Sequence, residues 1–158
     1  MKKEKKQEFT FRITRANKTQ MVVILYDMVL TYLQDALEEL ANKNSKEFKW
    51  NIERSKDCLD ELLNSLHMEY EPANTLKGLY FFYKRELSTA AVQQDKDKIL
   101  IIMGMIKELR ESYEKISSQD TSAPIMENAQ TVYAGLTYGK DSLNENLSAQ
   151  SIHRGFRV

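Results

Sequence analysis

Histidine and cysteine side chains are the first candidates for catalysis or metal binding, and this chain has few of them. His67 and His153 lie far apart in the sequence, and neither has a second histidine or a cysteine at the spacing of a metal site. A di-iron site in a helical bundle needs Glu-x-x-His pairs, but Asn64 stands three residues before His67. The single cysteine, Cys58, lies beside an apolar helix stripe, which indicates a packed side chain. It excludes an internal disulfide and suits a reducing compartment.

A glycine-containing segment, residues 135–142, has a partial likeness to a phosphate-binding loop. That motif requires four residues between its glycines, and Ser or Thr after its lysine. Here three residues separate Gly135 from Gly139, and Asp141 follows Lys140, with no predicted strand before the segment. We therefore predict no catalytic residues, no cofactor and no metal, and we expect a protein that is not an enzyme.

Charge and composition favour a helical protein without a nucleic-acid partner or a membrane-inserted segment. The 158 residues include 23 basic and 23 acidic side chains, with 5 glycines and 2 prolines. Balanced charge gives no general attraction to nucleic acid or anionic lipid, and scarce glycine and proline suit long helices. The N-terminal lysines are not followed directly by an apolar run, and the run from Met21 to Leu33 contains Asp27 and is too short to span a bilayer. We expect a soluble, cytoplasmic protein.

Apolar residues recur at helical spacing in four long segments, which predicts an all-α fold. Short connections between long helices indicate an up-down-up-down antiparallel four-helix bundle, which we place at residues 17–118. The predicted helices cover residues 17–41, 45–67, 74–94 and 96–117.

Polar residues at the predicted helix starts can satisfy the free backbone N–H groups there. Asn17 with Gln20 and Asn44 with Glu47 are predicted capping pairs, and Asp95 is the predicted N-cap of the fourth helix. Before the third helix, the pair at positions 71 and 72 is expected to interrupt the helical path, because the residue before a proline is disfavoured in the helical region.

Residues 1–16 precede the predicted bundle and are polar apart from three apolar side chains. Phe9, Phe11 and Ile13 alternate strictly with polar residues. A period of two is typical of extended chain, so we predict an N-terminal extended segment that lies on a surface.

The predicted helices carry more apolar residues than one buried face requires. Positions 79–83 and 99–103 are apolar or aromatic without a break, and five successive residues visit every side of a helix. The first helix has a second apolar line opposite its main stripe. Either one helix is central and the chain's own tail covers these residues, or they form grooves for an amphipathic partner helix. The candidate partner-binding residues are Val23, Tyr26, Leu30, Leu37, Phe81, Phe82, Leu100, Ile101 and Met105.

Two further features bear on this expected surface. Gly104 lies inside the fourth helix, where glycine costs about 1 kcal/mol relative to alanine. Close packing against a neighbouring helix is the expected reason. Met28, Met103 and Met105 would allow the surface to repack around a variable ligand.

The order of these residues resembles the FliS family, the flagellin-specific export chaperones. Leu25-Tyr26-Asp27 matches a Leu-Tyr-Asp signature in the first helix of that family. The resemblance covers residues 9 to about 116, and residues 119–158 extend the chain beyond the usual end of the family. Phe82 and Tyr113 stand where the family often has tyrosine and tryptophan. The remaining matches are Ile52, Ser55, Leu59, Glu61-Leu62, Leu66, Leu79-Tyr80, Arg85, Leu87, Ala90, Asp95 and Glu108-Leu109-Arg110.

The resemblance implies a cytosolic chaperone that binds the disordered C-terminal segment of flagellin on apolar grooves of a helical bundle. Binding would prevent premature filament assembly and present flagellin to the flagellar export gate. The resemblance also implies that the N-terminal segment covers part of the empty groove, a role that Phe9, Phe11 and Ile13 fit. An alternative interpretation is a structural homo-oligomer, such as a homodimer, or an adaptor that uses the same apolar faces.

The C-terminal extension, residues 119–158, supports a separate hypothesis. Pro124 begins a predicted short helix that ends near Ala134. Apolar side chains between Pro124 and Tyr138 could occupy a groove of the same chain, so truncation after Ser122 is expected to tighten flagellin binding. The alternative is a fifth packed element or a mobile extension.

Overall fold

A computed structural model describes residues 1–69 and 71–126, and these contain five α-helices and no strand. The helices are α1 (Lys3–Arg15), α2 (Lys18–Ala41), α3 (Ser45–Asn64), α4 (Glu71–Gln93) and α5 (Lys96–Ser117). The predicted all-α class is confirmed. In the described part of the chain, no helix combines the length and the apolar content that a membrane span needs. Most of the predicted C-terminal extension, from residue 127 onward, lies outside the described residues.

The central helix is α2, because it packs against α1, α3 and α5. Its start is fixed by a capping box. The backbone N–H of Gln20 donates to the Asn17 side chain at 2.8 Å, and the backbone N–H of Asn17 donates to the Gln20 side chain at 3.0 Å. This predicted pair is confirmed. With neighbours on three sides, α2 buries apolar residues around most of its circumference, among them Val23, Ile24, Tyr26 and Tyr32.

The other long helices complete a ring around the core. Helix α3 packs against α4, α4 against α5, and α5 against α2. The connections are short and comprise residues 42–44, 65–70 and 94–95. The Asn44 side chain accepts from the N–H of Glu47 at 3.4 Å, and Asp95 accepts from the N–H of Lys98 at 3.0 Å, so these predicted caps are also confirmed.

Helix α4 begins at Glu71, three residues before the predicted start near Asn74. Pro72 therefore lies in the first turn of the helix and does not interrupt it. Backbone N–H groups in the first turn have no partner within a helix, so a proline there loses no hydrogen bond. The prediction was wrong because it treated this proline only as a helix breaker.

The core is closed by large side chains from all four long helices. The Tyr26 hydroxyl on α2 is hydrogen-bonded to the Tyr80 hydroxyl on α4, and both residues are fully buried. Burial raises the pKa of Tyr80 to about 12 and raises the pKa of Tyr26 further above its ordinary value. Cys58 is buried in the same core, as predicted, and burial raises the pKa of its thiol to about 12.

The N-terminal segment is helical, so the predicted extended conformation is wrong. In α1, Phe9 and Ile13 are four residues apart and lie on the same face, in a cluster with Ile24 of α2. Phe11 points away and is 50% exposed, with the Arg15 guanidinium 4.2 Å from the centre of its ring. The i, i+4 spacing of Phe9 and Ile13 fits a helix as well as a strand, and the surrounding Lys, Glu, Gln and Arg residues favour a helix.

After α5, residues 120–125 fold back on the junction between α1 and α2; we call this segment the strap. The Asn17 side-chain amide donates to the carbonyl oxygens of Asp120, at 3.1 Å, and Ser122, at 3.5 Å. The N–H of Ile125 donates to the carbonyl oxygen of Ala16 at 2.9 Å. Ala16 and Asn17 are both buried. The strap is thus hydrogen-bonded to Ala16 and Asn17, the two residues that connect α1 to α2.

Candidate partner-binding site

Two of the predicted partner-binding residues, Val23 and Tyr26, are buried and do not form part of an open surface. Val23 lies near the end of α1 and the end of α5, beside Arg15 and Glu114. The Tyr26 ring lies in the core, with its centroid 5.7 Å from that of Tyr113. In this structure Val23 is covered by α1 and α5, and Tyr26 is covered by α4 and by Tyr113 of α5, so their role in partner binding stays a prediction.

Leu30, Leu37 and Leu100 come together in an open cleft between α2 and α5. The cleft has two adjoining parts, of about 730 Å³ and about 570 Å³, which share Gln34 and Glu38 of α2. Leu100 is 45% exposed at the wall formed by α5. We call this feature the α2–α5 cleft, and its apolar lining residues on these two helices are Leu30, Leu37, Leu40, Ala41, Leu100 and Met103.

Charged residues of opposite sign line the two sides of the α2–α5 cleft. Asp35 and Glu38 lie on the α2 side, whereas Lys96 and Lys107 lie on the α5 side. Within residues 1–69 and 71–126, none of the ion pairs involves Glu38, Lys96 or Lys107. The cleft is therefore suited to an amphipathic helix with an apolar stripe between a basic flank and an acidic flank.

Helix α1 already covers one end of this cleft. Phe9 is buried there, and Arg12 lies above α2, with its guanidinium 2.6 Å from the Asp27 carboxylate. The other carboxylate oxygen of Asp27 accepts from the Nε–H of Arg110 on α5 at 2.8 Å, which raises the pKa of Arg110. The Met1 amino group lies 2.7 Å from the Asp35 carboxylate. A basic, amphipathic helix thus occupies the acidic side of the cleft within the chain itself.

A second apolar surface lies where α4 meets α5. Glu86 and Lys98 form an ion pair across this seam at 3.0 Å. Phe82 is one helical turn before Glu86, and Ile101 is one turn after Lys98, so in a hairpin with a two-residue connection both lie on the same side of the seam. Met105 follows Ile101 by another turn. Ile101 is 66% exposed and Met105 is half-buried.

The remaining candidate, Phe81, is separate from both surfaces. It immediately precedes Phe82 in the sequence, points about 100° away from it around α4 and is 53% exposed. The structure therefore divides the predicted set into a cleft group, a seam group, one isolated phenylalanine and two buried residues.

Gly104 was not among the predicted site residues, and the reason expected for it does not hold. A Cβ atom at this position would have no heavy atom within 4 Å, so no neighbour in the described residues packs closely against it. Instead, Gly104 opens into the α2–α5 cleft beside Met103 and Lys107. The ion pair between Arg12 and Asp27 was not predicted from the sequence either, because the two residues lie on different helices and no local sequence pattern links them.

The described residues do not suggest a catalytic or metal centre. Within them, no group of three His, Cys, Asp or Glu side chains is placed to hold a metal ion. His67 is exposed after α3, and the thiol of Cys58 is buried. The arrangement can bind apolar and charged side chains along helices, which is the chemistry of protein recognition.

Comparisons with known proteins point in the same direction. The family described as "Flagellar protein FliS" matches residues 1–120 of this chain. A relative from Campylobacter jejuni subsp. jejuni serotype O:6, named as the flagellar secretion chaperone FliS, is 26% identical over 106 residues. That alignment spans 66% of this chain and 83% of the relative. The family match, over residues 1–120, includes all five helices, the α2–α5 cleft and the seam between α4 and α5.

Proposed function

The chain belongs to the FliS family of flagellar proteins, and from that membership we propose that it is a cytosolic export chaperone for flagellin. In this proposal it binds the disordered C-terminal segment of flagellin, prevents premature polymerisation and presents the complex to the flagellar export gate. It acts by binding alone, without catalysis, nucleotide or metal. The bundle that carries the site is proposed to have up-down-up-down topology, since its connections are short.

The α2–α5 cleft is the observation that carries this proposal. A disordered segment must bury apolar area to offset the entropy lost on ordering, and an amphipathic helix does so by placing its apolar stripe in a groove. The cleft offers an apolar floor, and the seam between α4 and α5 offers a further surface around the same helix, α5. A ligand that wraps around α5 would reach both.

Helix α1 is proposed to cover the cleft in the free protein and to leave it when flagellin binds. Phe9 and Ile13 are the side chains that hold it on α2, while Phe11 faces away. Arg12 adds an ion pair with Asp27. This assignment keeps two of the three predicted cover residues and adds Arg12.

A direct test is titration of the full chain with a peptide that contains the C-terminal segment of flagellin. We expect a 1:1 complex by calorimetry and a gain in helical circular dichroism, because the segment folds as it binds. Absence of binding, together with a dimer that persists on dilution, would instead support the homo-oligomer.

The site itself is tested by Ile101→Asp with Val92→Asp as the matched control. Ile101 is 66% exposed on α5, and Val92 is 83% exposed near the end of α4, away from the cleft and the seam. Burial of an unpaired carboxylate costs more than about 1.4 kcal/mol, so Ile101→Asp should weaken flagellin binding at least tenfold. Val92→Asp should stay within twofold of the wild type. Equal effects of the two variants would remove the support for the seam as a binding surface.

A further inference from the structure

Neither a backbone angle nor a packing contact among the described residues requires glycine at position 104. Gly104 lies in the interior of α5 at an exposed position, where glycine weakens a helix relative to alanine. Its backbone does not have a positive φ angle, so no left-handed conformation calls for glycine. A Cβ atom would have open space around it, so packing within the chain does not call for glycine either.

Gly104 lies where a ligand helix could approach the backbone of α5 closely. Gly104 lines the wider part of the α2–α5 cleft, and Leu100 and Ile101 lie one turn before it, both exposed. Without a side chain at position 104, the backbone of α5 is accessible between these apolar residues and Lys107. Small residues at a helix crossing allow two backbones to approach more closely than the usual separation of about 8–10 Å.

We propose that Gly104 is the point at which a helix of the flagellin segment crosses α5 in close contact, which makes it a specificity-determining residue of the cleft. This inference rests on the proposed function and adds the chemistry of the ligand. The ligand helix carries an apolar stripe with a small residue at the crossing, a basic flank towards Asp35 and Glu38, and an acidic flank towards Lys96 and Lys107.

Two observations favour a single ligand helix over a second copy of the chain. The cleft is bounded by two neighbouring helices, α2 and α5, so it admits one helix and not the broad face of another bundle. The charges also match a helix of the stated kind, since α1 brings basic residues to the acidic side, with Arg12 on Asp27.

The test compares substitutions at Gly104 with the same substitutions at Gly78. Gly78 is also an exposed helical glycine whose Cβ would meet nothing within 4 Å, but it lies on α4, outside the cleft. Gly104→Ala and Gly78→Ala should each raise the midpoint of thermal unfolding of the free protein by about 3 °C, because alanine favours the helix. These shifts show that each variant folds.

Binding of the flagellin C-terminal peptide then separates the two sites. Gly104→Leu should weaken binding at least tenfold, and by clearly more than Gly78→Leu, whose position one turn before Phe82 is close to the seam between α4 and α5. Glu38→Lys should also weaken binding, by about threefold, and this loss should shrink at high salt.

Each contrary result has a distinct meaning. If the wild type binds the peptide and Gly104→Leu binds equally well, the inference about Gly104 is overturned while the proposed function stands. Equal weakening by both leucine variants also overturns it, because the effect is then not specific to the cleft. If the wild type does not bind the peptide at all, the proposed function itself fails. Loss of a homodimer in Gly104→Leu, measured by sedimentation, would assign the crossing to a second copy and overturn the stated ligand.

Discussion

Tyr26 and Asp27 are neighbours in the sequence but have different tasks in the structure. Tyr26 places its hydroxyl against that of Tyr80 in the core, whereas Asp27 faces the surface and pairs with Arg12 and Arg110. In the Leu-Tyr-Asp signature, the tyrosine thus makes a buried hydrogen bond between α2 and α4. The aspartate makes ion pairs that connect α2 to α1 and to α5. The burial of Tyr26 and its hydrogen bond to Tyr80 make it a stability determinant.

At the residue scale, the buried tyrosines predict loss of stability in alkali. The pKa of Tyr80 is raised from 10.0 to about 12, so the folded state holds this proton more tightly than the unfolded state. Its contribution to the free energy of unfolding is fully present below pH 10 and is lost as the pH rises towards 12. By linkage, about 1.4 kcal/mol should be lost per such hydroxyl at pH 11. Urea unfolding at pH 8, 10 and 11 measures this.

The control for that prediction is the double variant Tyr26→Phe/Tyr80→Phe. It lacks both hydroxyls, so its free energy of unfolding should fall less between pH 10 and pH 11 than that of the wild type. The buried thiol of Cys58 titrates in both proteins and accounts for part of the remaining loss. An identical pH dependence in the two proteins would contradict the assignment to this pair.

At the scale of elements, the long helices were predictable because their signals are local. Asn17, Asn44 and Asp95 each cap a helix next to them in the sequence, and each cap is present. The conformation of residues 1–16 and the burial of Val23 were not predictable in the same way. Both depend on α1 packing against α2, and three apolar residues in a polar segment do not distinguish a helix from a strand.

Arg12→Gln tests whether the ion pair with Asp27 helps to hold α1 on α2. A partly buried ion pair contributes about 1 kcal/mol, so loss of the contact with Asp27 should loosen α1 from α2. Amide hydrogens of residues 3–15 should exchange faster, while those of α3 and α4 should be unchanged. Because displacing α1 then costs less, the flagellin peptide should bind about fivefold more tightly.

Arg15→Gln is the matched control for this effect. It removes the same charge from the same helix, but Arg15 is exposed, its guanidinium lies over the Phe11 ring, and none of the ion pairs among the described residues involves it. Its exchange rates and peptide affinity should remain those of the wild type. If both variants tighten binding equally, the cause is the charge of α1 and not its contact with Asp27.

At the scale of the whole molecule, the hypothesis that the C-terminal extension competes with flagellin calls for two truncations. Truncation after Ser122 should tighten peptide binding if the extension competes, but it also removes the hydrogen bond from Ile125 to Ala16. Truncation after Met126 keeps the whole strap. Competition by the extension predicts that both truncations tighten binding by the same factor in a calorimetric titration.

The two truncations can also differ in their effect on peptide affinity. Tighter binding only after truncation at Ser122 would mean that the strap, by holding the α1–α2 junction, limits access to the cleft. Unchanged affinity in both would discard competition altogether.

The strap can form only late in the synthesis of the chain. Its hydrogen bonds to Asn17 span 103 and 105 positions of the sequence, and such distant contacts form late in folding. During synthesis α1 leaves the ribosome well before α5, yet the junction beside it cannot be fastened until residues 120–125 have emerged. Phe9, Ile13 and Arg12 can pack on α2 before then, so the strap adds its hydrogen bonds to the α1–α2 junction last, after both walls of the cleft have been made.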